Sequence, residues 1–113
     1  MQKAWIQSEL QSLRAKQVEL SEELVGLKAR LEDAEATFSQ MKIKVGMMNV
    51  ADASNLALAA EVREANFRRR QEGLETQRTL IDACMLGDVE ECESSLQRVV
   101  ARIASLEAEL AAM

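Results

Sequence analysis

Few residues in this chain have the type and spacing for chemistry, and the first are two thiols. The stretch Cys84-Met-Leu-Gly-Asp-Val-Glu-Glu-Cys92 brackets a Gly-Asp pair, in a sequence with no histidine and no proline. A structural zinc site takes four ligands, so two thiols without imidazoles make a poor metal centre. A disulfide depends on the backbone: eight helical residues span about 12 Å, beyond the roughly 7 Å limit for bridged Cα atoms. Only a chain reversal between them could bring these thiols together. The preferred reading is two small hydrophobes packed where helices meet.

Arg63, Arg68, Arg69 and Arg70 form the one basic cluster. It could dock a phosphate or an acidic partner. Against this, Glu61, Glu64 and Glu72 balance it, with Glu64 and Arg68 at a favourable i,i+4 spacing on a solvated helix face. The balanced face is the preferred reading. No histidine is present to act as a base and no glycine-rich phosphate loop is found. The expectation is therefore no enzyme, no cofactor and no metal.

The elements that must position these groups are helices. The 113 residues allow one domain, and 48% are hydrophobic while only Trp5, Phe38 and Phe67 are aromatic. With 29% charged residues and only four glycines, this is the composition of coiled coils and long helices. The formal net charge of −5 argues against nucleic acid, which is bound by surplus Lys and Arg. Acidity is concentrated late: residues 87–113 carry two basic and six acidic side chains. No run of about 18 apolar residues is available for a membrane span. Glu9 stands where a secretory signal would place its apolar core, and the two cysteines suit a reducing compartment, so a cytoplasmic, intracellular protein is expected.

From Ile6 to Met48 apolar residues recur at alternating steps of four and three: Ile6, Leu10, Leu13, Gln17, Leu20, Leu24, Leu27, Leu31, Ala34, Phe38, Met41, Val45, Met48. Taking Leu10 as position a and Leu13 as d, Gln17 is the polar exception, placed where a hydrogen bond across the axis could fix register. The seam is narrow, as suits one neighbouring helix. Its flanks also fit a parallel homodimer, in which Glu9 meets Arg14, Glu23 meets Lys28 and Arg30 meets Glu35 of a second chain.

Over residues 45–55, Gly46, Asn49, Asp52 and Ser54 have turn and capping chemistry. The sequence predicts a first helix over 1–48, a turn over 49–55 and a second helix over 56–86. Reversal near residue 51 makes paired residue numbers add to roughly 102. Phe67 then falls near Ala34, Leu74 near Leu27 and Ile81 near Leu20. In that register the stripe Val99, Ile103, Leu106, Leu110, Met113 faces nothing, unless a second chain covers it or the helix folds back at Gly87.

Gly87 can take a positive φ as a helix C-cap, and Asp88 with Glu91 has capping-box spacing. Leu80–Leu96 also resembles the helix–turn–helix portion of an ankyrin repeat, through its Ala-Cys pair, the Gly-Asp turn and the closing Leu. No Thr-Pro-Leu-His element precedes it and nothing repeats at about 33 residues. The resemblance implies only a tight antiparallel reversal. A third helix over 87–113, after a turn at Gly87 and Asp88, completes the expected organisation.

The sequence thus points to an all-α single domain, an elongated coiled-coil helical hairpin or three-helix bundle that self-associates. It is expected to act as a structural or protein-interaction module through helix-to-helix recognition, as a homo-oligomer (dimer favoured) or with another helical protein. Its seam would comprise Ile6, Leu10, Leu13, Gln17, Leu20, Leu24, Leu27, Leu31, Phe38, Val99, Ile103, Leu106 and Leu110. The alternative is a small helical chaperone or secretion-apparatus factor that holds a segment of another protein.

Overall fold

The computed structural model describes residues 2–113, and the chain is all-α. Helix α1 runs over Gln2–Ser54, α2 over Ala60–Leu80 and α3 over Gly87–Ala111, with a π-helical segment, Ile81–Leu86, joining α2 to α3 without a break. The described residues form two compact units: those up to Ala29 with Gly87–Met113, and Arg30–Leu86. Each pairs a stretch of α1 with an antiparallel second arm.

Helix α1 does not end where the turn chemistry begins. Gly46 and Asn49 lie inside it, no glycine among the described residues has a positive φ, and the loop is residues 55–59. Glycine in a helix interior costs about 1 kcal/mol against Ala, which the continuing contact with α2 offsets. Asp52 and Ser54 do not cap α2. Ser54 Oγ bonds back to the Val50 carbonyl at 3.0 Å, and Asp52 is taken by Arg70. The turn is made by Asn55, whose Oδ1 accepts from the Ala57 amide at 3.1 Å while its carbonyl accepts from Leu58. This is an Asx-type turn, in which the side chain stands in for backbone. The N-cap of α2 is Ala59, with no side-chain bond.

Moving the turn a few residues moves every pair along the arms. In the first unit Arg14 pairs with Glu107 and Lys28 with Glu93; in the second Glu35 pairs with Arg78 and Asp52 with Arg70. These numbers add to 121, 121, 113 and 122, not to the expected value of roughly 102. Leu74 therefore borders a groove with Val45 and Gly46 rather than lying near Leu27. Ile81 lines a cavity with Ala34, Phe38 and Met41 rather than lying near Leu20, and Phe67 borders one with Asn49, Asp52 and Ala53 rather than lying near Ala34.

The same shift closes the stripe that had no partner. Ile6, Leu10, Ile103 and Leu106 form a buried cluster, with Leu13, Val99 and Leu110 packed against it. Leu106 is fully covered. Burying a side chain of this size contributes about 1.5–3 kcal/mol, and neither a second chain nor a reversal is needed to achieve it.

The turn expected at Gly87 and Asp88 is absent. Gly87 is the first residue of α3 and stays helical, while Asp88 is exposed in its first turn. Continuing the helix buries Val89 and Cys92, and that gain offsets the glycine. What the sequence presents as punctuation is a change of phase. The row Phe67, Leu74, Ile81 continued by sevens gives Asp88, Ser95, Arg102 and Glu109. The row covered in α3 is Val89, Leu96, Ile103 and Leu110, one residue later. The extra residue is taken up by the π-helical turn between them, where i→i+5 bonding widens the helix.

Candidate functional site

The seam found in the sequence is closed within the chain. Ile6, Leu10, Leu20, Phe38, Ile103 and Leu106 are buried, and Leu13, Gln17, Leu24, Leu27, Leu31, Val99 and Leu110 are half-buried. Three of the six flanking charges that could have joined two parallel chains are used internally. Arg14 bonds Glu107 at 2.9 Å, Lys28 approaches Glu93 to 3.2 Å, and Glu35 is held by Arg78. The first two pairs are about half exposed and worth about 0.2–1 kcal/mol each, so they mark register more than they supply stability. A parallel dimer through this seam would have to open the chain's own pairing.

The basic cluster does not form one surface. Arg70 turns inward, with Nη1 donating to Asp52 Oδ2 at 2.8 Å and to Asn49 Oδ1 at 3.0 Å. Asn66 adds a bond to the same carboxylate oxygen of Asp52 at 3.2 Å. Arg63 is half-buried beside Phe67, Arg68 is tied to Glu64 at 3.0 Å by the expected i,i+4 bond, and Arg69 is exposed. The bond from Arg70 holds the Asp52 carboxyl below its usual range, with burial opposing and Asn66 assisting. A polar layer inside an otherwise apolar seam fixes which residues may face each other.

A second polar layer carries no signal in the sequence. Arg78 donates from Nη1 to Glu35 Oε2 at 2.7 Å, from Nη2 to Glu35 Oε1, and from Nη2 to Asp82 Oδ1 at 2.7 Å. Its guanidinium lies 5.1 Å from the centre of the Phe38 ring. A planar fork matches a carboxylate with both arms and stacks on an aromatic face at once. The hydrogen bond from Arg78 lowers the Glu35 pKa, and the bonds to Glu35 and Asp82 raise that of Arg78.

The cysteines part company. Cys84 is exposed; Cys92 is buried, its thiol donating to the Leu20 carbonyl at 3.6 Å. Burial first, then Glu23 and Glu93, pushes the Cys92 thiol up. One uninterrupted helical run carries both, so no reversal brings them together.

What remains outward is concentrated in the second unit. Only Phe38 and Ile81 among its hydrophobics are buried. On the outer face of α1, Ile43, Met47 and Val50 are 65%, 68% and 67% exposed at i, i+4 and i+7. A groove of about 650 Å³ between α1 and α2 is bordered by Phe38, Lys42, Val45, Gly46, Leu74 and Glu75, among others. The outer stripe is visible in the sequence as a second apolar row on α1, half a turn from the seam. Among the described residues there is no cluster of three or more potential metal ligands and no helix long and apolar enough to cross a membrane.

No family model, curated protein or solved structure matches this chain.

Proposed function

We propose that the chain is a protein-interaction module that acts by helix-to-helix recognition and self-association, presenting the outer surface of its second unit. One observation carries this reading: the large apolar side chains of that unit, Ile43, Met47 and Val50 foremost, face out, while the heptad seam is closed on the chain's own second arm. Contiguous exposed apolar surface on a small protein marks an interaction site. The ion pairs across the seam fix the presenting scaffold, and the exposed stripe supplies the contact. An intracellular setting belongs to this reading, supported by two thiols that a continuous helix keeps from bridging each other.

The chaperone reading has its own support in the exposed Met47, Met48 and Met85, since flexible thioethers adapt to varied partners. Light scattering over about 1 to 100 µM separates the two, because self-association follows mass action. Self-association gives a mass above one chain that falls on dilution. A single-chain mass at every concentration would sink it and leave the chaperone reading, whose client should raise the helicity of the mixture.

A further inference from the structure

We infer that the groove between α1 and α2 in the second unit receives the same groove of a second copy, giving a two-fold dimer in which Lys42 of each chain pairs with the partner's Glu75. This rests on the self-association reading and adds a second surface of the same unit to the outer stripe. Lys42 stands on the α1 rim of the groove and Glu75 on the α2 rim. Both are exposed, and among the described residues neither is in an ion pair. Their numbers add to 117, within the span of 113 to 122 set by Glu35 with Arg78 and Asp52 with Arg70, so the two rims are level. A two-fold axis running along the groove keeps that level and lays α1 of one copy over α2 of the other. Each lysine then meets a glutamate, twice per dimer, as an isologous interface requires. The product is a four-helix arrangement with antiparallel neighbours.

Gly46 is the second observation. It lines this groove beside Val45 and Leu74, and a Cβ added there meets nothing within 4 Å. The chain's own packing gives no reason for this helix-weakening residue, nor for the equally open Gly26 and Gly73, but Gly46 alone of the three lines the groove. A second helix passing over the groove gives a reason for it, because glycine lets backbones approach closely.

The test is sedimentation equilibrium on the full chain, with circular dichroism on each variant. Wild type is expected to be a dimer. Lys42→Glu and Glu75→Lys should each weaken the dimer by at least about tenfold through like-charge juxtaposition, and the double variant should recover it. Gly46→Leu should leave a monomer of equal or greater helicity, so that loss of dimer is not loss of fold. A wild-type chain that is monomeric throughout overturns both this interface and the self-association reading. A wild-type dimer that these variants do not weaken, or that the double variant does not restore, overturns the groove alone.

Discussion

Arg78 joins Glu35 across 43 positions of sequence through both carboxylate oxygens, while its guanidinium rests over the Phe38 ring. Phe38 and Ile81 are the only hydrophobics buried in that unit, so an ion pair stands where other coiled coils stack apolar layers. Removing Arg78 leaves Glu35 without its donors and uncovers one face of the aromatic ring. Arg78→Leu should lower the thermal midpoint by a few degrees. Arg78→Lys should recover only part of it, since an ammonium cannot engage both oxygens and stack. A lysine variant equal to wild type in a melting experiment would show that the fork geometry is immaterial.

Two of the interhelical carboxylates, Glu35 and Asp52, should make stability depend on pH. Glu35 and Asp52 have pKa values lowered in the folded chain from ordinary values of 4.5 and 3.8. Below those values the unfolded chain takes up protons before the folded one, so stability falls as pH falls. The contribution is complete above the ordinary values and declines below them as the folded carboxyls become protonated. Urea midpoints measured from neutral to acid pH should show this decline, and Glu35→Gln combined with Asp52→Asn should flatten it. An unflattened curve would place the acid sensitivity elsewhere.

The π-helical turn makes an unusual deletion favourable. Deleting Ala83 moves Val89, Leu96, Ile103 and Leu110 back by one, into the seven-residue row of Phe67, Leu74 and Ile81. The widened turn should then revert to an ordinary α-helix, with a urea midpoint equal to or above wild type. Deleting Ser94 removes one residue from α3 itself and rotates the rest of that helix by about 100°, taking Ile103 and Leu106 off the core. That variant should lose about 2–5 kcal/mol, as core truncations do. Equal damage from both deletions would contradict the one-residue phase account.

The thiols should differ by orders of magnitude in reactivity. Cys84 is exposed, whereas Cys92 is buried and its pKa is raised, so little thiolate forms at neutral pH. A thiol reagent in native buffer should label one site, mapped to Cys84 by peptide mass, and reach Cys92 only with denaturant. Fast labelling of Cys92 would mean that α3 opens readily from α1.

The heptad of α1 is legible because seven-residue spacing is a local property, and Ile6, Leu10, Leu20 and Phe38 are buried as that spacing requires. Where α1 stops is not legible. Asn49 and Asp52 have turn chemistry, and only the distant Arg70 shows that it is spent on an interhelical bond instead. Because register is counted from the turn, a misplaced turn shifts every pair and strips the row from Val99 to Leu110 of its partner. The Gly-Asp pair illustrates the complementary difficulty. Gly87 permits a helix to end, but the burial of Val89 and Cys92 decides that it continues. The phase slip can be read from Ile81 and Val89 once both rows are written by sevens. Arg78 could not be found so, since nothing near it in sequence distinguishes it from Arg68 or Arg69.

The closed seam and the outward groove are tested together by carbodiimide crosslinking of an equal mixture of isotopically light and heavy chains. Lys28 lies 3.2 Å from Glu93 of its own chain, so that link should occur only between peptides of the same label. Lys42 to Glu75 should occur in mixed-label pairs. A mixed-label Lys28 link would contradict the closed seam, and a Lys42–Glu75 link that is missing or confined to same-label pairs would contradict the dimer groove.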